Sequence, residues 1–240
     1  MRRPCFFLKT RSQKPEMMDL PHSDKEKLYR TLRHFSLINL FFTGSRKLLR
    51  RTVLRDMEQS PKTHRVLLEI GSGGGDTARW LIKKSRSMGL SLSIICCEKD
   101  PRAVEFLRTA CAKEPCITIV EADFFDLSGP AYEVDYVFAN HLLHHLADAQ
   151  IPPMLTQAYQ RARRGVVFND LRRSCMAYVL YFFAASLFFR KSFARKDGLL
   201  SIQKGFTHDE AQNMLRACPD IPLVTRGTFP FRCIWKSSFL

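Results

Sequence analysis

Several features that would place this chain in a common class of protein are missing from its sequence. None of its eight cysteines forms a CxxC pair, which excludes zinc-ribbon and thioredoxin-like sites. Cys96 and Cys97 lie within an apolar run and are expected to be reduced core residues, a pattern typical of the cytoplasm. The longest apolar run, 175–189, has fifteen residues including Ser186, whereas a membrane-spanning helix needs about 20. Residues 5–8 are the only apolar stretch near the N-terminus, too short for a signal peptide, so we expect a cytoplasmic protein.

Acidic residues are scarce at the two flanks of the chain. Lys and Arg total 38 against 23 Asp and Glu, a formal net charge of +15. Residues 1–65 carry +10 and 161–200 carry +7, whereas 66–160 carry −4. Basic flanks are typical of proteins that bind a nucleic acid or an anionic membrane surface. They are also typical of helix faces that are simply exposed to solvent. The positive charge therefore lies in the residues that flank the central segment, whereas the central segment itself is slightly acidic.

Short apolar strands alternate with amphipathic helices from residue 65 onward. This alternation predicts a parallel sheet with helices on both faces. We predict strands at 66–70, 93–98, 117–121, 134–140, 165–169, 223–228 and 231–236, and helices at 76–84, 101–112, 148–163 and 208–217.

Two shorter helical segments precede the alternating region. The capping box Ser23–Glu26 predicts a helix through about His34, and a second helix begins at Ser45 and ends before Pro61. We therefore divide the chain into a disordered N-terminus, a helical cap and a main domain with a helical insert. Their expected ranges are 1–18, 19–62 and 63–240, with the insert at about 172–197.

A glycine-rich loop, 71–75, directly follows the first predicted strand. Glycines allow a sharp turn and a close approach of the backbone to a ligand. The NAD pattern GxGxxG would need glycine where Asp76 stands, and the Walker A ending Gly-Lys-Ser/Thr is absent. Because an acid at a helix N-terminus disfavours a phosphate, we expect no phosphate of the ligand here. The pattern that fits is Glu-x-Gly-x-Gly-x-Gly, from Glu69 to Gly75.

This pattern is followed by Glu98 and Asp123 at the ends of the next two strands. Over residues 66–170 the sequence resembles the class I S-adenosylmethionine-dependent methyltransferases, whereas a lone glycine motif would also fit a generic nucleotide-binding fold. The resemblance implies a Rossmann-like methyltransferase fold, with a seven-stranded, mostly parallel sheet and an antiparallel C-terminal strand pair. S-adenosylmethionine is the implied cofactor. Its implied binding residues are Glu69, Gly71, Gly73 and Gly75 for the amino-acid part, Glu98 for the ribose, Asp123 with Phe124 for the adenine, and Asn140 beside the transferred methyl group.

Histidines and an acid follow the fourth and fifth predicted strands. His144, Asp170 and His141 are the candidate catalytic residues, suited to removing a proton from an acceptor hydroxyl or acidic carbon. The alternative is that the histidines cap a helix or pack in the core. No metal site is expected, because no cysteine or second His/acid spacing accompanies them. The Asn/Asp-Pro-Pro-Tyr/Phe motif of enzymes that methylate nucleic-acid amino groups is also absent, since 140–143 reads Asn-His-Leu-Leu.

Motifs beyond residue 168 resemble a group of small-molecule methyltransferases. They are Asn169–Arg173, the aromatic segment 175–189, Asp197-Gly198 with Ser201, Phe206-Thr207 and Phe229–Arg232. The group is related to the ubiquinone/menaquinone C-methyltransferases and to polyketide-pathway enzymes. The resemblance implies methyl transfer to an oxygen or carbon of an aromatic, quinone or polyketide-like acceptor.

The aromatic segment 175–189 has two interpretations. It is either a lid over an apolar acceptor or a helix packed in the core. Its basic flanks also suit a helix that rests on an anionic membrane, which would make the protein peripheral to that membrane. Two other functions stay open: RNA methylation, which the basic flanks favour, and cofactor binding without catalysis.

Overall fold

The computed structural model describes residues 6–189 and 191–239. Its helices pack around one seven-stranded sheet. The strand order is β3-β2-β1-β4-β5-β7-β6, and β7 runs in the opposite direction to the other six strands. The predicted mostly parallel sheet with an antiparallel C-terminal pair is therefore confirmed. The strands are β1 (Arg65–Ile70), β2 (Leu92–Glu98), β3 (Ile117–Glu121), β4 (Val134–Asn140), β5 (Ala162–Leu171), β6 (Leu223–Thr228) and β7 (Arg232–Ser237).

The helices cover both faces of this sheet and the edge where β1 ends. They are α1 (Lys25–Phe41), α2 (Ser45–Leu49), α3 (Arg55–Glu58), α4 (Asp76–Ser87), α5 (Pro101–Cys111), α6 (Ile151–Arg161), α7 (Cys175–Phe188), α8 (Ala194–Lys204) and α9 (His208–Arg216). A π-helical turn, Arg50–Leu54, joins α2 to α3.

Alternating residues of the strands point to two separate cores. Leu68, Val137 and Phe168 pack with α6 and α9 on one face of the sheet. Leu67 and Phe138 pack with α3 and α4 on the other. Strands buried on both faces are continuous apolar runs rather than alternating ones, which is why their positions were readable from the sequence.

The sequence analysis did not predict α8, which lies where we expected the end of a basic insert. Its buried residues include Asp197, Ser201 and Lys204 beside Ala194 and Ile202. Because half of the buried face is polar, the apolar periodicity that marks a helix is missing. The insert 172–197 thus comprises α7 and the first turn of α8.

The N-terminal segment also differs from the expectation of disorder. Residues 1–5 lie outside the described part of the chain, but residues 11–18 pack against the main domain. The Arg11 guanidinium donates to the carbonyl groups of Leu143, His144 and Leu146. The Asp197 carboxylate accepts hydrogen bonds from the backbone of the segment at 17 and 18. Polar anchors of this kind leave no periodic pattern in the sequence.

The cysteines follow the expectation at the two core positions. Cys96 and Cys97 are buried free thiols in β2. Cys175, at the start of α7, is disulfide-bonded, which the sequence analysis did not foresee. Within the described residues, no helix combines the length and the apolar character that crossing a membrane requires.

A buried ion pair joins the helical cap to the sheet. Asp56 of α3 is almost completely buried and accepts a hydrogen bond from the hydroxyl of Tyr136 in β4. Arg164 of β5 donates to both oxygens of the same carboxylate, at 2.7 and 3.0 Å. The pair therefore fixes α3 against the centre of the sheet.

We expect Arg164→Ala to lower the free energy of unfolding by about 3 kcal/mol, because it removes the cationic partner of a buried carboxylate. Arg163→Ala is the matched control, since the neighbouring Arg163–Glu133 pair is mostly exposed and such pairs contribute about 1 kcal/mol or less. Urea denaturation followed by circular dichroism measures both variants. Equal losses of stability would contradict the structural role of the buried pair.

Candidate functional site

A cavity of about 600 Å³ opens at the carboxyl edge of the sheet. One end is formed by the glycine loop after β1 and by the ends of β2 and β3. The other end is formed by residues 141–146 after β4, by the N-terminal segment 13–19 and by α8. In open α/β sheets ligands bind at this edge, where the strand order reverses, and the volume is typical of a small-molecule site.

The glycine loop has the backbone conformation that its sequence predicts. Gly71, Gly73 and Gly75 have positive φ angles of 67°, 50° and 66°. Gly71 and Gly73 line the cavity, whereas Gly75 does not. A Cβ atom at Gly75 would lie 2.3 Å from Cδ1 of Leu107 in α5. Gly75 is therefore needed for close packing of the loop against α5 rather than for contact with a ligand.

One buried carboxyl group, that of Glu69, and one partly buried carboxyl group, that of Asp76, line the loop end of the cavity. Burial, together with the nearby Asp76, raises the pKa of Glu69 to about 8. Burial also raises the pKa of Asp76, whose two oxygens accept hydrogen bonds from the amide of Asn39 at 3.1 and 3.2 Å. Acids with raised pKa values favour a cationic ligand over an anionic one at this end.

The two later acids of the sequence pattern also line the cavity. Glu98 accepts hydrogen bonds from the backbone N–H groups of Gly73, Lys99 and Asp100, at 2.9 to 3.1 Å, and so ties the end of β2 to the glycine loop. Asp123 is partly exposed after β3 and accepts from the backbone of residue 125 at 3.1 Å. Phe124, buried beside it, also lines the cavity.

Three asparagines connect the helical cap to the middle of the cavity. Asn140 at the end of β4 donates to Asn39 of α1 at 2.9 Å and accepts from Asn169 of β5 at 2.9 Å. The sequence analysis missed Asn39. A signal was present, because Asn39 continues the apolar stripe of Leu28 and Leu32 on α1 as its one amide.

The candidate catalytic residues come together at the other end of the cavity. Nδ1 of His144 lies 2.7 Å from Oδ1 of Asp170, which stands behind the histidine and does not line the cavity. Nε2 of His141 lies 3.3 Å from the guanidinium of Arg232. His141 also has a positive φ of 57°, a strained conformation for this residue type that is found mostly where function requires it.

The two histidines differ in protonation. Burial alone would lower the pKa of His144, but the carboxylates of Asp170 and Glu16 outweigh it and raise the pKa to about 9. Burial and the charge of Arg232 hold the pKa of His141 well below its usual value. At neutral pH His144 is therefore protonated and His141 is neutral.

Glu16 is the residue of this cluster that sequence reasoning missed. It is 2% exposed, it accepts a hydrogen bond from the Ser201 hydroxyl at 2.8 Å, and it lies 3.5 Å from Nζ of Lys204. Burial would raise its pKa, but His145, His144 and Lys204 lower it to about 2. No periodic pattern in the sequence marks Glu16. Ser201, which donates to Glu16, and Arg232, which lies beside His141, do belong to the motifs beyond residue 168.

A family model described as a methyltransferase domain matches residues 67–165. No curated protein matches the chain. Among solved structures, the plantazolicin methyltransferase BpumL with SAH is 14% identical and has a TM-score of 0.62. The match covers 90% of this chain and 95% of that one. Human N-acetylserotonin methyltransferase with SAM is 17% identical, with a TM-score of 0.58 over 90% of this chain and 56% of that one.

A third similar structure is magnesium protoporphyrin IX methyltransferase from Synechocystis PCC 6803 with bound SAM. It is 12% identical, with a TM-score of 0.51 over 81% of this chain and 80% of that one. At these identities the structures establish the fold, and the family model locates the domain within the chain. Residues 67–165 therefore match a methyltransferase-domain model, and the chain has a Rossmann-like methyltransferase fold.

Proposed function

We propose that this methyltransferase transfers a methyl group from S-adenosylmethionine to an oxygen or carbon of an aromatic, quinone or polyketide-like small molecule. The observation that carries the proposal is one cavity with two chemically different ends. The acids Glu69, Glu98 and Asp123 line one end, and His141 and His144 line the other. When bound, the cofactor supplies an electrophilic methyl group on a sulfonium ion.

The loop end of the cavity fits this cofactor better than a phosphate-bearing one. Glu69 is a buried acid and Asp76 a partly buried one, both with raised pKa values; a cationic group of S-adenosylmethionine would stabilise their ionised forms, whereas a pyrophosphate would not. We assign Glu69 with Gly71 and Gly73 to the amino-acid part. The remaining assignments are Glu98 to the ribose hydroxyls, Asp123 with Phe124 to the adenine, and Asn140 to the region of the methyl group.

The histidine end fits an acceptor that must lose a proton. We assign the acceptance of that proton to His141, which is neutral at neutral pH although its lowered pKa makes it a weak base, whereas Asp170 holds the protonated His144 in one orientation. His144, in turn, is suited to stabilise negative charge on the acceptor. Proximity within the cavity supplies the rest of the rate increase, since methyl displacement needs aligned reactants.

The acceptor class rests on the names of the similar structures and on the lining of the cavity. Those proteins are named for plantazolicin, N-acetylserotonin and magnesium protoporphyrin IX. Here Phe35, Phe42, Leu146 and Tyr181 face the cavity, so an apolar or aromatic molecule suits it. Tyr181 comes from the aromatic segment, which supports the interpretation of that segment as part of the acceptor site.

We also propose that α7 rests on an anionic membrane surface. Only Ala177 and Ala185 of this helix are fully buried, whereas Phe183 and Leu187 are 67% and 68% exposed. Exposed basic residues follow it, at 191, 195 and 196. An apolar helix face with adjacent basic residues is the arrangement that binds at a lipid interface, from which an apolar acceptor would be taken.

For the cofactor, we expect Asp123→Ala to weaken S-adenosylmethionine binding roughly 10- to 100-fold, because one hydrogen bond to a charged group is lost. Glu98→Ala should weaken binding at least as much, since that carboxylate also holds the glycine loop. Glu121→Ala is the matched control, because Glu121 also ends β3 but pairs with Arg108 and does not line the cavity. Calorimetry measures all three, and wild-type affinity in both site variants would overturn the assignment.

For the acceptor, we expect radiolabelled methyl groups to enter a lipid extract rather than RNA when the protein is incubated with labelled cofactor and separated extracts. His141→Gln should lower the labelling at least tenfold, because general base catalysis typically contributes about 100-fold or more. Label found only in RNA would favour RNA methylation. Cofactor binding without label in any extract would favour the non-catalytic alternative.

For the membrane, we expect the protein to co-sediment with phosphatidylserine vesicles at low salt, and Phe183→Glu with Leu187→Glu to abolish this. Val224→Glu is the control, because Val224 is exposed on the edge strand β6, which is not part of α7. No sedimentation of the wild type would remove the proposal, as would equal sedimentation of the α7 variant.

A further inference from the structure

Glu16, His144 and His145 form a compact cluster within the cavity. One ligand atom from each lies within 4.8 Å of the other two. The imidazole rings of the two histidines are 4.2 Å apart between centroids. Glu16 comes from the N-terminal segment and the histidines from the turn after β4, so the cluster joins two distant parts of the chain.

The separations within this cluster are longer than charged hydrogen bonds, and the shortest of them matches the spacing of two ligands of one metal ion. Nε2 of His144 lies 3.5 Å from Oε1 of Glu16, and Nε2 of His145 lies 4.0 Å from Oε2. Charged hydrogen bonds are shorter, at about 2.7–2.9 Å. Two ligand atoms that each stand about 2.1 Å from one ion lie about 3.4 Å apart in tetrahedral geometry.

The opposite ring nitrogens of both histidines are held by carboxylates. Nδ1 of His144 lies 2.7 Å from Asp170, and Nδ1 of His145 lies 2.8 Å from Asp19. Such pairs place the proton on Nδ1 and turn the lone pair of Nε2 toward the cluster, as in known carboxylate–histidine–metal sites. The Ser201 hydroxyl similarly orients the Glu16 carboxylate.

The net charge of the cluster also favours the binding of a cation. Three carboxylates, those of Glu16, Asp19 and Asp170, contact the two histidines within 4.0 Å. Lys204 is the one lysine within that distance of Glu16 among the described residues. With neutral imidazoles the cluster therefore carries a net charge of −2, which a divalent cation neutralises.

We propose that Glu16, His144 and His145 bind one divalent transition-metal ion of the zinc class. Two imidazoles and one carboxylate are the donor set that such ions take, with the remaining positions open. The ion replaces the proton that Nε2 of His144 otherwise holds. This site departs from the sequence expectation of no metal, because that expectation included neither Glu16 nor Asp19.

The open positions of the ion face the cavity, which the same three residues line. An acceptor oxygen bound there would lose its proton more easily, a role that rests on the proposed function. The metal site itself does not rest on it, because metal binding is measured without cofactor and without acceptor. Failure of one is therefore distinguishable from failure of the other.

The test is calorimetric titration of the full chelator-treated chain with Zn²⁺, repeated with Co²⁺ to follow its visible absorption. We expect one ion per chain and at least a tenfold loss of affinity in Glu16→Gln and in His145→Gln. Asp19→Asn should weaken binding roughly 10- to 100-fold, as for other residues that orient a metal-binding histidine. His22→Gln is the matched control, an exposed histidine three residues beyond Asp19.

Thermal denaturation separates metal binding from misfolding. Zn²⁺ should raise the Tm of the wild type and of His22→Gln but not that of His145→Gln, because only the first two bind it. His145 is partly exposed, so its variant is informative even where Glu16→Gln fails to fold. Equal Zn²⁺ affinity in the wild type and His145→Gln would place the ion elsewhere, on a thiol for example, and would overturn the proposal. Absence of binding to the wild type would do the same.

Discussion

The parallel pairing of β1 with β2 on one side and with β4 on the other is the constraint on which the rest of the site depends. Ile70 is in register with Cys97 and with Ala139, so the three strands end at one level. Glu98 and Asn140 stand one residue beyond these partners. Because parallel strands have their carboxyl ends at the same edge, residues far apart in sequence line one cavity. The glycine loop can leave β1 there because its backbone adopts positive φ angles.

The N-terminal segment and α1 complete a cavity that the sheet alone would leave open. Asn39 contacts both Asp76 and Asn140, and Glu16 contacts His144, so the cap residues touch both ends of the cavity. This arrangement divides the cavity electrostatically. The loop end holds buried acids with raised pKa values, whereas at the histidine end cationic partners lower the pKa of Glu16 and Asp170. The two ends of the cavity therefore offer different electrostatic surroundings to whatever binds there.

The sequence predicted the sheet well because its central strands are buried on both faces and therefore appear as short apolar runs. It located the acids that line the loop end of the cavity because they follow those strands directly. The helix α8 and the contacts of Glu16 were not predictable in the same way. The polar residues Asp197, Ser201 and Lys204 of α8 are buried against the N-terminal segment, where they form polar contacts. Partners almost two hundred residues apart leave no local pattern. Gly75 fits the sequence motif, yet it serves packing against Leu107.

Several basic side chains of the two flanks are engaged in contacts within the protein. Arg11, Arg164 and Arg173 are engaged with carbonyl groups or carboxylates of the protein. These cations stabilise the fold and the site, so the count of +15 overstates the charge available to a polyanion. Among the remaining ones, those at 191, 195 and 196 adjoin the exposed apolar face of α7. Basic residues by themselves would suit a nucleic acid as well as an anionic membrane. A basic cluster beside apolar side chains instead matches the boundary between lipid headgroups and acyl chains, and this juxtaposition favours a membrane over RNA.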